Sequence, residues 1–425
     1  MKNKMDLNIK SEINDLRCVI THKPGFEHEF MTPLNLKENI IKNKRIVDNP
    51  DFLLFDDIMH VSEAEKEHNT LYNILHHFTD GNCYEFIDLL KVVLNDNNVK
   101  ESLINECVDL ELILYNNLID KQKLYSLQPN EIVNVLLSGY FKTEKLFSYP
   151  IPNLIFTRDI AVCIGNSILI TQSKKDVRRR ENILAKYVFK YYKNFKSMNI
   201  YDFGEMFPDL SIEGGDIIVF DDKRICIGIS ERTPLESVSR IAPLIFKEGF
   251  NKIIAIDMPK KRAVMHLDTI FTKINNDEVL VFPPILNKEM NKHLNKTYIF
   301  KNGIDKYEVT EKNLISVLNE DGLNLKYIKC GSTNKIMQDR EQWTDGANAF
   351  TLSPGKIIGY DCNHHTLMEL NEAGYELITS KEYLENYPKY NQSNKKFVIT
   401  IKGSELLRGR GGPRCLTLPI FRLEK

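Results

Sequence analysis

Residues 159–170 read DIAVCIGNSILI, and this stretch decides the fold class. An aspartate leads into a run rich in isoleucine and valine, a Gly-Asn-Ser turn follows, and a second apolar run comes after the turn. β-Branched residues favour strands, while glycine and asparagine favour the tight turns that join antiparallel strands. The stretch therefore predicts a β-hairpin headed by an acidic residue.

The same pattern recurs three more times along the chain. It starts at Asp216, Asp268 and Asp345, so the four leading aspartates are 57, 52 and 77 residues apart. Most hairpins precede a segment with helical periodicity, such as 180–191 and 236–248. One such unit cannot bury its own apolar face, so the units must pack on one another. We expect hairpin-plus-helix modules that either close around an axis or form an open stacked sheet. Closure would bring the acidic turns to one central site.

Residues 62–147 differ from the rest of the chain. Ser62 and Glu65 have the spacing of a helix capping box, and Pro129 suits the first turn of another helix. Apolar residues repeat at helical spacing here, and strand signals are almost absent. We interpret this region as a compact helical insertion.

Composition excludes several classes of protein. The 425 residues are 42% hydrophobic and 27% charged, with a formal net charge of −1, so no overall charge attracts nucleic acid or an anionic membrane. The N-terminus lacks the apolar core of a signal peptide, and no apolar run reaches the roughly 20 residues that span a bilayer. The eight cysteines form no CxxC pair. We expect a cytoplasmic homo-oligomer that binds neither nucleic acid nor membrane.

Four segments concentrate glycine, charged and aromatic residues without periodicity. They are Asn153–Asp159, Glu213–Asp216, His266–Asp268 and Arg408–Cys415. A cysteine with a distant histidine is typical of enzymes with a cysteine nucleophile, although a lone cysteine after a glycine-rich turn is often structural. His266 and Asp268 would face the same side of an extended chain. The pair could therefore hold each other, reach one ligand or lie on a surface strand.

The carboxylates in these segments favour one class of ligand. Acids close to a thiol raise its pKa and suppress the thiolate, unless the bound ligand is a cation. Peptide hydrolysis instead needs hydrogen-bond donors around the reacting carbonyl oxygen. A guanidinium is planar, carries five donors and matches carboxylates in a bidentate manner. The combination predicts a substrate that carries a guanidinium group.

At these residues the sequence resembles the arginine deiminases of the guanidine-modifying, or pentein, superfamily. The resemblance implies a five-bladed α/β propeller of repeated ββαβ modules, with a single catalytic domain over residues 1–425 and the 62–147 insertion in its first module. It also implies hydrolysis of free L-arginine to L-citrulline and ammonia, without a metal or an organic cofactor. Further matching segments are Glu12–Gly25, Leu54–Ile58, Val177–Glu181, Gly228–Thr233 and Arg340–Gly346.

The resemblance implies a role for each residue of the site. Cys415 corresponds to the nucleophile that attacks the guanidinium carbon, and His266 to the acid that protonates departing ammonia and then activates water. Glu213 corresponds to the acid that orients His266. Asp159 and Asp268 correspond to the pair that clamps the guanidinium nitrogens. The other substrate-binding residues that the resemblance implies are Asn153, Arg178, Arg232 and Arg410.

Some details stay open at this level. Arg179 and Arg180 follow Arg178 directly, so the assignment among the three arginines is not settled. Trp343, the only tryptophan, is expected to pack between modules. Cys362 and Leu416 depart from residues that are common at these positions in the family, and their effect on loop packing is open.

Four other functions are compatible with the same residues. An amidinotransferase would pass the amidino group from Cys415 to an amine rather than to water. A peptidyl-arginine deiminase would accept arginine within a protein, but arginines able to bind a free carboxylate argue against it. A dimethylarginine hydrolase would be shorter and lack the helical insertion. An inactive arginine-binding relative would bind without turnover.

Overall fold

The computed structural model describes residues 8–42, 44–195, 199–286 and 296–424. In this part of the chain, strands and helices form an α/β fold with five mixed sheets of three to five strands. In spatial order their strands are Ala161–Ile164, Ser167–Ile170 and Asn199–Asp202; Ile217–Val219, Arg224–Ile229, Lys252–Asp257, Thr297–Lys301 and Glu308–Thr310; Phe271–Lys273, Glu278–Val281 and Lys326–Lys329; Phe350–Ser353, Lys356–Tyr360, Phe397–Ile401 and Glu376–Thr379; and Leu418–Leu423, Asp15–Thr21 and Cys83–Glu85.

All five sheets share one pairing scheme. An antiparallel pair is followed by a parallel strand, as where Val162 pairs with Leu169 and Ile168 pairs with Ile200. The four hairpins that the sequence predicts are confirmed. The fifth sheet pairs the two ends of the chain, since Val19 lies opposite Pro419. Among the described strands, no sheet shares a strand with another, so each sheet is open.

Two short hairpins lie outside these sheets. Asn39–Lys42 pairs with Arg45–Asp48, and Tyr140–Phe141 pairs with Glu144–Lys145. In the first module the strand begins at Ala161 rather than at the leading aspartate. The reason is that Asp159 belongs to a helical turn, Thr157–Ile160, that directly precedes the strand.

The structure confirms the helices that the 3.6-residue periodicity predicts after two of the hairpins. The segments predicted at 180–191 and 236–248 are helical over Arg179–Tyr191 and Leu235–Lys247. No described helix combines the length and apolar composition that crossing a bilayer requires. The other α-helices are Phe26–Glu29, Val61–Phe78, Phe86–Val93, Asn97–Tyr115, Lys121–Tyr125, Pro129–Ser138, Thr157–Ile160, Phe203–Met206, Leu314–Glu320, Lys335–Trp343, His364–Glu372 and Ser380–Gln392.

The region interpreted as an insertion is largely helical, apart from the hairpin at 140–145 and two further local differences. The helix predicted to be capped by Ser62 begins at Val61, so the capping box is wrong, whereas Pro129 does begin its helix. Cys83–Glu85 forms a strand beside Asp15–Thr21 that the sequence pattern did not indicate. A strand of three residues is too short to show the two-residue alternation by which strands are recognised in a sequence.

Arg180 joins the helical region to the helix that follows the hairpin after Asp159. From helix Arg179–Tyr191 its buried guanidinium donates to Glu111 at 3.1 Å and to the Leu136 carbonyl at 3.0 Å. It also donates to the Tyr149 carbonyl. Because a buried arginine requires such partners, this contact is structural and assigns Arg180 to the helical interface.

Candidate active site

The four segments that the sequence singled out meet in one pocket. Glu213 and Asp268 lie immediately behind its wall, in contact with His266 and Cys415 respectively. The pocket is narrow, with a cavity volume of about 20 Å³. Its lining residues are Leu54, Asn153, Phe156, Asp159, Arg178, Arg232, Met265, His266, Thr269, Gly409, Arg410 and Cys415.

The glycines of the Glu213–Asp216 segment allow the loops to approach this closely. A Cβ atom on Gly215 would lie 2.6 Å from His266 Nδ1, and one on Gly214 would lie 2.0 Å from the Arg158 carbonyl oxygen. Both distances are shorter than van der Waals contact, so a side chain at either position would push His266 or the Asp159 turn out of place. The two glycines therefore leave the space that the His266 imidazole and the Asp159 turn occupy.

His266 and Glu213 form a buried, charge-assisted pair. His266 Nε2 lies 2.8 Å from Glu213 Oε2, and His266 Nδ1 lies 3.7 Å from Asp159 Oδ1. Burial opposes the imidazolium, but Asp159 and the Glu213 hydrogen bond outweigh it and raise the pKa of His266 to about 10. Burial also opposes the Glu213 carboxylate, yet Arg232, His266 and Arg178 hold its pKa well below the usual range. At neutral pH His266 is therefore a cation with a proton to donate.

Asp159 is held by Arg178 and by a backbone amide. Arg178 Nη1 donates to Asp159 Oδ2 at 2.8 Å, and the Gly215 amide donates to Asp159 Oδ1 at 3.2 Å. The rest of the Arg178 guanidinium is engaged by Glu181 at 2.9 Å and by the Asn153 carbonyl at 3.3 Å. Of three consecutive arginines, Arg178 is thus the one in the pocket.

Cys415 lies at the opposite wall. Its Sγ atom is 3.7 Å from Asp268 Oδ2, and its backbone amide donates to the Asn348 side-chain oxygen at 3.2 Å. Burial raises the pKa of the Cys415 thiol well above its ordinary value, and the charges of Asp268, Asp345 and Asp159 add to the effect. The thiol is therefore protonated at neutral pH.

Two arginines keep donors available at the pocket. Arg232 Nη1 is 3.6 Å from Glu213 Oε1, and its Nε atom has no hydrogen-bond partner. Arg410 donates from Nη2 to the Ala263 carbonyl at 3.3 Å, while its Nε and Nη1 atoms make no hydrogen bond. Asn153 differs, because its Nδ2 donates to the Leu53 carbonyl at 2.8 Å and so supports the loop that carries Leu54.

Two residues of the site were not anticipated. The Arg410 guanidinium lies 3.6 Å from the centre of the Trp343 ring, so the tryptophan stacks on a pocket residue. Arg414, next to the thiol, donates to Asp268 Oδ2 at 2.7 Å. A charged residue inside a glycine-rich loop beside a candidate nucleophile was the available signal for Arg414. Nothing in the sequence indicated Trp343, because a contact between two distant loops produces no regular spacing of residues along the chain.

The two residues that differ from those common in the family, Cys362 and Leu416, do not line the pocket. Cys362 is exposed, and the neighbouring Asn363 accepts a hydrogen bond from the Thr344 hydroxyl at 2.6 Å. Leu416 is fully buried in an apolar cluster with Phe55 and Phe156. Leu416 therefore takes part in the packing of this cluster.

Asp159, Glu213 and His266 also offer atoms for a metal ion, since one ligand atom from each lies within 4.8 Å of the others. Arg178 Nη1 already supplies positive charge there, at 2.8 Å from Asp159 and 3.7 Å from Glu213. A divalent cation at this point would face Arg178 and the His266 imidazolium. The arrangement suits an organic cation with N–H donors better than a bare metal ion.

Comparison with known proteins bears on the family. The model of the arginine deiminase family matches residues 126–422. The chain is 31% identical to the arginine deiminase of Listeria monocytogenes over 99% of both chains, and 32% identical to that of Borrelia recurrentis over 98% of both. It is 31% identical to the arginine deiminase of Mycoplasma capricolum, over 98% of this chain and 97% of that one.

Among solved structures, dimethylarginine dimethylaminohydrolase with an S-methyl-L-thiocitrulline adduct superposes with a TM-score of 0.48 at 12% identity, over 95% of this chain and 99% of that one. The sequence similarity, in contrast, extends from end to end of the curated relatives. The chain belongs to the arginine deiminase family, which are hydrolases that act on C–N bonds of amidines.

Proposed function

We propose that this chain hydrolyses free L-arginine to L-citrulline and ammonia through a covalent intermediate on Cys415. The main support for this proposal is the arrangement of charged groups around one pocket. A thiol, Asp159 and Asp268 lie where a guanidinium would bind, and Arg232 and Arg410 keep donors for a carboxylate. L-Arginine carries those two charged groups at opposite ends of its side chain.

The first half-reaction uses the two protonated groups of the resting site. Binding of the guanidinium cation stabilises the Cys415 thiolate, so the thiol proton is released to solvent. The thiolate attacks the guanidinium carbon and forms a tetrahedral adduct. The bond from this carbon to a terminal nitrogen then breaks, and His266 donates its proton so that ammonia leaves. A thiouronium group remains on Cys415.

The second half-reaction returns the site to its starting state. His266, now neutral, takes a proton from water while the oxygen attacks the thiouronium carbon. Collapse of this adduct breaks the carbon–sulfur bond, the hydroxyl proton passes to the departing sulfur, and citrulline leaves with Cys415 again a thiol. Splitting one difficult displacement into two easier ones is the advantage of the covalent route. Glu213 stabilises the His266 imidazolium in both steps through the 2.8 Å contact.

Substrate recognition divides between the two ends of the pocket. Asp159 and Asp268 clamp the guanidinium nitrogens, while Arg232 and Arg410 supply donors for the α-carboxylate. Arg178 contributes to substrate binding through Asp159, to which it donates at 2.8 Å. Asn153 completes the substrate-binding set from the α-amino side. The requirement for a free carboxylate favours L-arginine over arginine within a peptide.

The direct test is incubation with L-arginine in buffer free of other amines, with citrulline and ammonia measured together beside a Cys415→Ala control. Equal amounts of both products, absent in the control, support the deiminase. Product that forms only after an amine acceptor is added would identify an amidinotransferase. Binding without either product would identify an inactive relative.

Removing Arg232 should separate recognition of the carboxylate from chemistry. In Arg232→Ala we expect KM for L-arginine to rise about tenfold to a hundredfold, the usual value of a hydrogen bond to a charged group. Agmatine, which lacks the carboxylate, should show little change. Steady-state kinetics with both compounds provide the measurement, and Arg240→Ala, which removes an exposed arginine paired with Glu236, is the control. Equal KM increases for both compounds would contradict the assignment.

Alkylation of Cys415 should be slow in the empty enzyme. The thiolate is the reactive form, and the raised pKa of Cys415 leaves little thiolate at neutral pH. The iodoacetamide reaction of this cysteine, followed by peptide mass spectrometry, should therefore be slower than that of free cysteine at pH 7 and should still accelerate above about pH 9. A rate that levels off below about pH 8.5, the range of an ordinary thiol, would contradict the protonated resting state.

The shared pairing scheme of the five sheets supports a five-bladed α/β propeller within a single catalytic domain over residues 1–425. In this arrangement 62–147 is a largely helical insertion in the first module, whose Cys83–Glu85 strand completes the sheet of Asp15–Thr21, and the modules surround the pocket. We propose a cytoplasmic location, where cysteines serve mostly as small buried apolar residues, and seven of the eight are buried here. We also propose a homo-oligomer, because most oligomers of soluble proteins are symmetric assemblies of one chain.

A further inference from the structure

A buried row of charged groups connects the N-terminal segment to Asp268. Glu12 Oε2 accepts hydrogen bonds from Arg414 Nη2 at 2.8 Å and from Arg414 Nε at 3.3 Å. Arg414 Nη1 donates to Asp268 Oδ2 at 2.7 Å, and Nη2 also donates to the Ile217 carbonyl at 2.8 Å. Glu12, Arg414 and Asp268 are 7%, 2% and 0% exposed. The guanidinium of Arg414 is therefore divided between two carboxylates.

The two oxygens of Asp268 have different surroundings. Oδ2 accepts from Arg414 and lies 3.7 Å from Cys415 Sγ, whereas Oδ1 is buried without a hydrogen-bond partner. A buried carboxylate oxygen without a donor is unfavourable and rare in folded proteins. A ligand N–H group would satisfy it, and the contact with Arg414 decides which oxygen is left for that ligand.

Glu12 is the opposing charge for a group of arginines. Burial and the positive charge of Arg414 lower the pKa of Arg158 to about 9, and Glu12 opposes that shift. Arg422 is likewise lowered to a pKa of about 9 by burial and by Arg414, again against Glu12. Without the Glu12 charge, Arg414 would have Asp268 as its only carboxylate and would be repelled by both neighbouring arginines.

We propose that Glu12 and Arg414 are positioning residues for substrate binding. Glu12 anchors Arg414, Arg414 holds Asp268 Oδ2, and Asp268 Oδ1 thereby stays free to receive the substrate guanidinium. If Glu12 is neutral, the Arg414 guanidinium turns to Asp268 alone and takes both oxygens in a bidentate pair. Arg414 then competes with the substrate for the same carboxylate. This inference rests on the proposed function.

The test uses Glu12→Gln, which removes the charge and keeps the shape. We expect KM for L-arginine to rise about tenfold, with a smaller change in kcat, because binding of the guanidinium weakens before chemistry begins. The matched control is Glu111→Gln, which also removes a buried glutamate paired with a buried arginine, here Arg180 at 3.1 Å, but outside the pocket. A purely structural role predicts the same KM in both variants, and that result would overturn the inference.

A second variant covers the case in which Glu12→Gln does not fold. Lysine is a point charge and cannot bridge two carboxylates as arginine does, so Arg414→Lys should show the same rise in KM. A wild-type KM in that variant would overturn the inference.

Binding separates the inference from the proposed function. Calorimetry on the Cys415→Ala enzyme measures L-arginine affinity without turnover, and adding Glu12→Gln should weaken it by the same factor. If the wild-type enzyme makes no citrulline, the proposed function fails. The positioning role is then judged by this affinity alone, and unchanged affinity contradicts it.

Discussion

Replacing Cys415 with alanine should lower kcat for L-arginine by about 10⁶-fold, to the background of the assay, because removal of a covalent nucleophile leaves no alternative attacking group. His266 is protonated at rest and held by Glu213 and Asp159, so it cannot activate water in place of the thiol. The expected result is a folded enzyme that binds L-arginine without releasing citrulline or ammonia. Citrulline formation and circular dichroism, measured together, check it.

A matched cysteine variant separates chemistry from packing. Cys107 is also fully buried, in helix Asn97–Tyr115 away from the pocket. Cys107→Ala should lose about 1 kcal/mol or somewhat more of folding stability, as expected for a small core truncation, with kcat unchanged. Residual turnover in Cys415→Ala within about a hundredfold of wild type would contradict a covalent mechanism.

The second large effect is expected at His266. Proton transfer by a positioned side chain contributes about 10²–10⁴-fold, and His266 acts in both half-reactions, so His266→Gln should lower kcat by about 10⁴-fold or more. Because the imidazolium is the acid and its pKa is about 10, wild-type turnover should also fall as pH rises through about 10. Below that pH the proton is in place. The measurements are kcat at saturating L-arginine and its pH profile.

His68 provides the control for this variant. It is fully buried in helix Val61–Phe78, and neither ring nitrogen has a hydrogen-bond partner. His68→Gln should change thermal stability without changing the pH profile. A His266→Gln enzyme that keeps kcat within tenfold of wild type would show that another group moves the proton.

Hairpins and helices could be predicted from the sequence because they depend on residues that are close together in the chain. The hairpin after Asp159 follows from β-branched residues on either side of Gly165-Asn166-Ser167, and the helix at Leu235–Lys247 follows from its 3.6-residue period. The choice among Arg178, Arg179 and Arg180 was not readable. Each is a long cation with the same local context, and only its packing partners separate the three.

The sequence by itself determined the repeated hairpins, the largely helical character of 62–147, and the thiol, imidazole and carboxylates that predict a guanidinium substrate. It could do so because turn chemistry, periodicity and side-chain type act over short distances. Only the tertiary structure decided that Leu418–Leu423 pairs with Asp15–Thr21, that Glu12 meets Arg414, and that Arg410 stacks on Trp343. These contacts join residues far apart in the chain, and their energy depends on burial and charge that exist only after the modules have packed.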